Sequence, residues 1–143
     1  MQKKIIVDTN IYIDIFNSGL HQNLQNPFKY IFFLAYPVLH ELWMGAKGKK
    51  KVKHLVVLQN EFLKRKRLIV PAASTLILIG QACHKLRSTG KLDAVFPKHY
   101  NDISIAALAR QIGATVMTKN VRDFQTIQNV IDFDFEIKNR TAQ

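Results

Sequence analysis

A chain of 143 residues with 48% hydrophobic content is long enough to bury one ordinary core without disulfides or structural zinc. Its single Cys83 rules out an internal disulfide. No apolar run approaches the roughly 18 residues of a membrane span, and only the short stretch IIV precedes Asp8, which argues against a signal peptide and for a reducing cytoplasm. Lys and Arg number 21 against 10 Asp and Glu, a formal charge of +11 that suits an acidic partner, most commonly nucleic acid, and no membrane.

Lys4–Val7 is a short β-branched run of the kind buried in parallel sheets, and Ile11–Phe16 reads as a first helix behind the capping types Thr9 and Asn10, broken by Asn17, Ser18 and Gly19. A short segment around Pro27 precedes a second buried strand, Ile31–Ala35. Pro37 then opens a helix that carries Val38, Leu39, Leu42, Trp43 and Ala46 at helical spacing and ends near Gly48. Lys51–Arg67 is predicted as a long amphipathic helix with Val52, Leu55, Val56, Phe62 and Leu63 inward. Leu68–Val70 is a short strand stopped by Pro71, and Ser74 is expected to cap a helix running to Ser88 and Gly90. Asn101 or Asp102 opens the helix Ile103–Ile112. Thr115–Thr118 is a strand, Val121–Ile127 a short helix and Phe133–Ile137 a last strand.

No repeat, linker or shift of composition divides residues 1–143, so one domain is expected. Strands alternating with helices predict an α/β fold, three layers deep, with a central and mostly parallel sheet flanked by helices. In such sheets the working crevice lies beyond the carboxyl ends of the strands, where Asp8 and the segment from Thr118 to Asp123 fall.

Four acids sit at the edges of apolar runs, where a merely solubilising carboxylate is poorly placed: Asp8 in IIVDTN, Glu41 in VLHELWMGA, Asp102 in YNDISIAALA and Asp123 in TKNVRDF. A few carboxylates within a cationic surface are what a divalent-metal phosphodiesterase needs. Hard cations take oxygen ligands, and a bound cation activates water and offsets charge on the phosphoryl oxygens. Each acid also has a plain reading. Asp8 and Asp102 could cap helices, Glu41 could face solvent and Asp123 could join a surface ion pair.

DTN after the first strand, HELWMGA on an early helix, NDISIAALA on a later one and TKNVRDF after a late strand together resemble the PIN domain family. Within it they look most like the VapC-type ribonuclease toxins of prokaryotic toxin–antitoxin pairs. The motifs match in order over nearly the whole chain, although residues 47–95 carry none. The resemblance implies a PIN-like α/β/α fold and a Mg²⁺-dependent endoribonuclease, Mn²⁺ being able to substitute. In-line attack by water would leave a 5′-phosphate and a 3′-hydroxyl. It implies as partners an RNA substrate and a small antitoxin, and a homodimer.

On that resemblance Asp8 and Asp102 are the expected main metal ligands, Glu41 ligates or takes the proton of the attacking water, and Asp123 completes the site. Thr9, Asn10, Thr118 and Asn120 would support water or phosphate. Asn120 stands where many relatives carry Asp, and its carbonyl oxygen can still ligate or hold a metal-bound water. That leaves open whether Asp123 is a ligand or an orienter. Lys98, Lys119 and Arg122 flank the motifs, and Lys49, Lys50 and Lys51 belong to a basic run, so these six are the expected RNA contacts. His40 and His99 are possible proton shuttles. Trp43 reads as a core or interface residue, and Gly45 as one that permits close helix packing. The rival readings are a PIN nuclease of RNA processing or DNA cleavage, and a non-catalytic RNA-binding module.

Overall fold

The structure is a computed structural model, and it describes residues 2–18, 29–90 and 98–138. Five strands, β1 (Lys3–Val7), β2 (Tyr30–Ala35), β3 (Leu68–Ile69), β4 (Thr115–Thr118) and β5 (Asp134–Ile137), form one sheet in the order β3-β2-β1-β4-β5. Every pairing is parallel, so the sheet is more uniform than the mostly parallel one expected. The register sets Ile6 beside both Phe33 and Val116, and Val7 beside Met117. Asp8, Tyr36 and Lys119 therefore leave three adjacent strands at one edge.

The connections are α1 (Thr9–Ser18), α2 (Tyr36–Gly45), α3 (Lys49–Lys64), α4 (Ala73–Ser88), α5 (Lys98–Ile112) and α6 (Val121–Ile127). From β1 the chain winds outward to β2 and β3, then crosses back to β4 and β5 on the other side. The right-handed crossovers that parallel sheets almost always use would put α1–α3 on one face of this strand order and α4–α6 on the other, and the sheet is flanked by all six helices. The direction of winding reverses between β1 and β4. In parallel sheets such a reversal marks the carboxyl ends of the two strands as the place where ligands bind, and in this fold α2 and α5 contact each other.

Burial is deepest in α5. Every residue from Asp102 to Ala109 is buried, and Ala106, Ala107 and Ala109 let its backbone lie close to the sheet and to α4. Across the sheet, Ile5, Ile6, Leu34 and Val116 fill the middle of the core. Phe124 on α6 is fully buried and packs its ring 6.0 Å from those of Phe133 and Phe135.

Several boundaries differ from the sequence reading. α3 begins at Lys49 and ends at Lys64. It closes with Lys66 in the left-handed region (φ 56), its N–H on the Leu63 carbonyl and that of Arg67 on Phe62. These are the paired bonds of a Schellman stop. Leu63 was expected inward but is 54% exposed. The inward stripe runs through Leu55, Leu58 and Phe62, and the next residue rotates off it. α4 begins at Ala73 behind Ala72, with no side-chain cap, so Ser74 lies inside the first turn rather than capping it. α5 begins at Lys98, so Asn101 and Asp102 lie within the helix rather than at its start. Trp43 is not core. It is exposed and donates its indole N–H to Gln59 Oε1 at 2.9 Å. The segment around Pro27 lies outside the described residues.

Phe124→Ala leaves a ring-sized void under α6, the helix that carries Asp123. It is expected to cost about 3–5 kcal/mol, read as a lower urea midpoint with an unchanged slope.

Candidate active site

β1 runs straight into the site. The Asp8 N–H donates to the Met117 carbonyl at 2.8 Å, extending the β1–β4 ladder by one residue, and the Asp8 carbonyl accepts the first N–H groups of α1 from Ile11 and Tyr12. Asp8 thus stands at the N-cap of α1, and its carboxylate does further work. Oδ1 accepts the Thr9 N–H at 2.8 Å, while Oδ2 accepts the Thr118 hydroxyl at 2.7 Å and the Asn10 amide at 3.3 Å. Asp8 is 5% exposed and Thr118 is fully buried, so this contact is fixed from both sides.

Thr118 also receives the Asn120 N–H on its hydroxyl oxygen at 2.9 Å. This contact turns the chain out of β4 so that Asn120 becomes the N-cap of α6. The Asn120 side chain makes no capping bond. Its Nδ2 donates instead to Asp123 Oδ2 at 3.0 Å and, at the longer distance of 3.5 Å, to Asp102 Oδ2. In these two contacts Asn120 acts as a donor bridging two carboxylates, whereas the sequence reading gave its carbonyl a ligand role. On the other flank, the Thr9 hydroxyl donates to Glu41 Oε1 at 2.8 Å, bringing in α2.

One polar chain therefore runs from Glu41 through Thr9, Asp8, Thr118 and Asn120 to both Asp102 and Asp123. It joins four carboxylates from four parts of the fold at the carboxyl edge of the sheet. Near its end, His99 Nε2 stands 3.7 Å from Asp123 Oδ2. His40 is exposed and lies edge-on to Tyr36. Burial, and then the neighbouring Tyr36, raise the Tyr100 phenol above its ordinary value.

The sequence reading missed Asp14. It is buried on α1, one turn beyond Asn10, and its Oδ2 pairs with Lys119 Nζ at 2.8 Å. Its signal was there, a lone carboxylate inside the apolar run IYIDIF, four residues from Asn10 and so on the same helical face. Lys119 also donates its backbone N–H to Asn10 Oδ1 at 3.5 Å. Of the other basic residues singled out, Arg122 is exposed on α6, and Lys49, Lys50 and Lys51 are exposed in the first turn of α3. That turn carries no acid and no side-chain cap, so its charge works against the helix dipole and does not serve helix stability. The Lys98 side chain lies outside the described residues. Gly45 does not mediate close packing, because nothing comes within 4 Å of where its Cβ would be.

The donor set is all oxygen, carboxylate with hydroxyl and amide, which suits a hard divalent cation. Among the described residues no three of His, Cys, Asp and Glu gather into one cage. An ion here would rest on one or two carboxylates, water and substrate phosphate, the usual habit of Mg²⁺. On the expectation from the sequence, such an ion would be held by Asp8 and Asp102.

Among the described residues no helix is long and apolar enough to cross a membrane. None of the curated proteins is a sequence match. Solved structures share the fold. The VapBC2 complex of Rickettsia felis, bound to a DNA fragment from its promoter, is 23% identical with TM-score 0.70, over 95% of this chain and 99% of its own. VapBC-1 of nontypeable Haemophilus influenzae is 19% identical with TM-score 0.69, over 94% and 97%. VapBC-5 of Mycobacterium tuberculosis, from the VapBC family of toxin–antitoxin systems, is 18% identical with TM-score 0.57, over 94% and 96%. The PIN domain pattern itself matches residues 5–129, so this chain belongs to the PIN domain family.

Proposed function

We propose that this protein is a divalent-metal-dependent endoribonuclease that acts in the cytoplasm as the toxin of a toxin–antitoxin pair. The observation that carries the reading is the continuous polar chain joining Glu41, Asp8, Asp102 and Asp123 at the carboxyl ends of β1 and β4. The likeness of the fold to VapBC structures supports the toxin assignment. On this reading residues 1–143 form a single domain that pairs with a second copy and with an antitoxin.

Mg²⁺, with Mn²⁺ as substitute, would offset the charge developing on the phosphoryl oxygens and activate the attacking water. The chain's own residues do the positioning. Thr118, Asn10 and the Thr9 N–H hold the Asp8 carboxylate in one orientation. The Thr9 hydroxyl engages one oxygen of Glu41, setting that carboxylate to take a proton from water. Asn120 keeps Asp102 and Asp123 at a fixed spacing, and Asp123 is the orienting partner in this arrangement. The excess of Lys and Arg draws RNA to the acids, with Arg122, Lys98 and the Lys49–Lys51 turn as phosphate contacts, whereas Lys119, expected among them, is engaged by Asp14.

Glu41→Gln keeps an acceptor for Thr9 but loses the base. It is expected to lower the rate of RNA cutting by roughly 10²–10⁴-fold while the melting temperature holds. Cutting that continues unchanged in this variant or in chelator would sink the nuclease reading. In cells, expression of the wild-type chain is expected to arrest growth, and Asp102→Asn, which retains an oxygen for Asn120, to relieve the arrest at equal soluble yield. Arrest that persists with Asp102→Asn rules out nuclease activity at this site as its cause.

A further inference from the structure

Beside Glu41, at one end of the polar chain, lies a cavity of about 320 Å³. The rest of its lining is of two kinds. Ile13 of α1, Gly45 of α2 and Leu55 of α3 supply apolar surface, and Lys47 and Lys51 supply two ammonium groups. Ile13 is 46% exposed although large and apolar. Gly45 ends α2 without a positive φ and with open space where a Cβ would point, so neither backbone nor packing demands glycine there. What its missing side chain leaves is room in the cavity.

The volume is at the small end of ligand pockets, which run about 300–1,000 Å³, and suits one nucleotide. An apolar wall accepts the face of an unpaired base, lysines accept phosphate, and the Glu41 wall joins the space to the acidic centre. A purely apolar partner segment would leave two lysines and a carboxylate to be desolvated without matching groups. We infer that this cavity holds the unpaired nucleotide next to the scissile bond, with Lys47 and Lys51 on its phosphates and the exposed Ile13 against its base, over a floor closed by the buried Leu55. The inference rests on the nuclease reading above and adds to it the site's demand for single-stranded RNA.

Gly45→Leu tests it by filling the cavity with a good helix former while leaving every acid in place, so the variant should melt at or above the wild-type temperature. The full chain would be titrated with labelled single-stranded RNA in chelator, by anisotropy, over a range of salt. Cut sites would then be mapped with Mg²⁺. Gly45→Leu is expected to weaken binding roughly tenfold and to change which sites are cut. Lys51→Ala, on the exposed surface, is expected to lower the salt slope by about one. If the wild-type chain cuts RNA, and Gly45→Leu cuts the same sites with unchanged affinity, the subsite is overturned and the nuclease reading stands. If the wild-type chain binds the RNA without cutting it in Mg²⁺ or Mn²⁺, the nuclease reading falls, and weaker binding by Gly45→Leu would still support the pocket. Unchanged RNA binding by Gly45→Leu with loss of a co-purifying small protein would assign the pocket to a protein partner and overturn the nucleotide proposal.

Discussion

The arrangement of the acids depends on one buried hydroxyl. Thr118 donates to Asp8 and accepts from the Asn120 backbone, so the end of β4 is tied at once to the end of β1 and to the start of α6. The parallel β1–β4 pairing makes this possible, because it sets two strand ends side by side with their side chains in register. A buried polar group must be matched, and here each match also orients a carboxylate. Without the hydroxyl, Asp8 would lose its shortest contact and Asn120 the bond that holds it at the helix start.

Electrostatics set the second constraint. Four carboxylates share one polar chain in a protein of charge +11, and short neutral side chains link them. Thr9 separates Asp8 from Glu41, and Asn120 separates Asp102 from Asp123, so each pair is bridged by a donor and not placed in direct contact. Lys119 reaches the site's flank but is held by Asp14, which spends that cation on fastening β4 to α1. The remaining lysines of the α3 turn are exposed, where long-range attraction of a polyanion is their strongest effect.

Much of the architecture was legible in the sequence. The β-branched runs of β1, β2 and β4 marked buried parallel strands, and Pro37 and Gly113 marked helix limits that the structure bears out closely, whereas α2 ends at Gly45 and Gly48 instead caps the start of α3. The boundaries that shifted were those at which local chemistry had competitors. Ser74 looked like a cap, but α4 already starts at Ala73, with the Ala72 carbonyl accepting the Thr75 and Leu76 N–H groups and the Gln111 side chain holding the Ala72 N–H. Asp102 looked like a helix start, yet tertiary packing carries α5 a further turn back to Lys98. Leu63 continued a hydrophobic pattern that the stop at Lys66 leaves outside the core.

By itself the sequence singled out the four acids that the fold joins through one polar chain, because scarce acids at the edges of apolar runs, in a strongly basic chain, are a local and countable pattern. It determined the alternation of strands and helices for the same reason. Only the tertiary structure decided how the acids meet. Thr9, Thr118 and Asn120 act across separations of 18 to 110 residues, and no local pattern encodes a partner that distant. The roles of Asp14 and Gly45 were likewise settled by what lies opposite them, a lysine in one case and open space in the other.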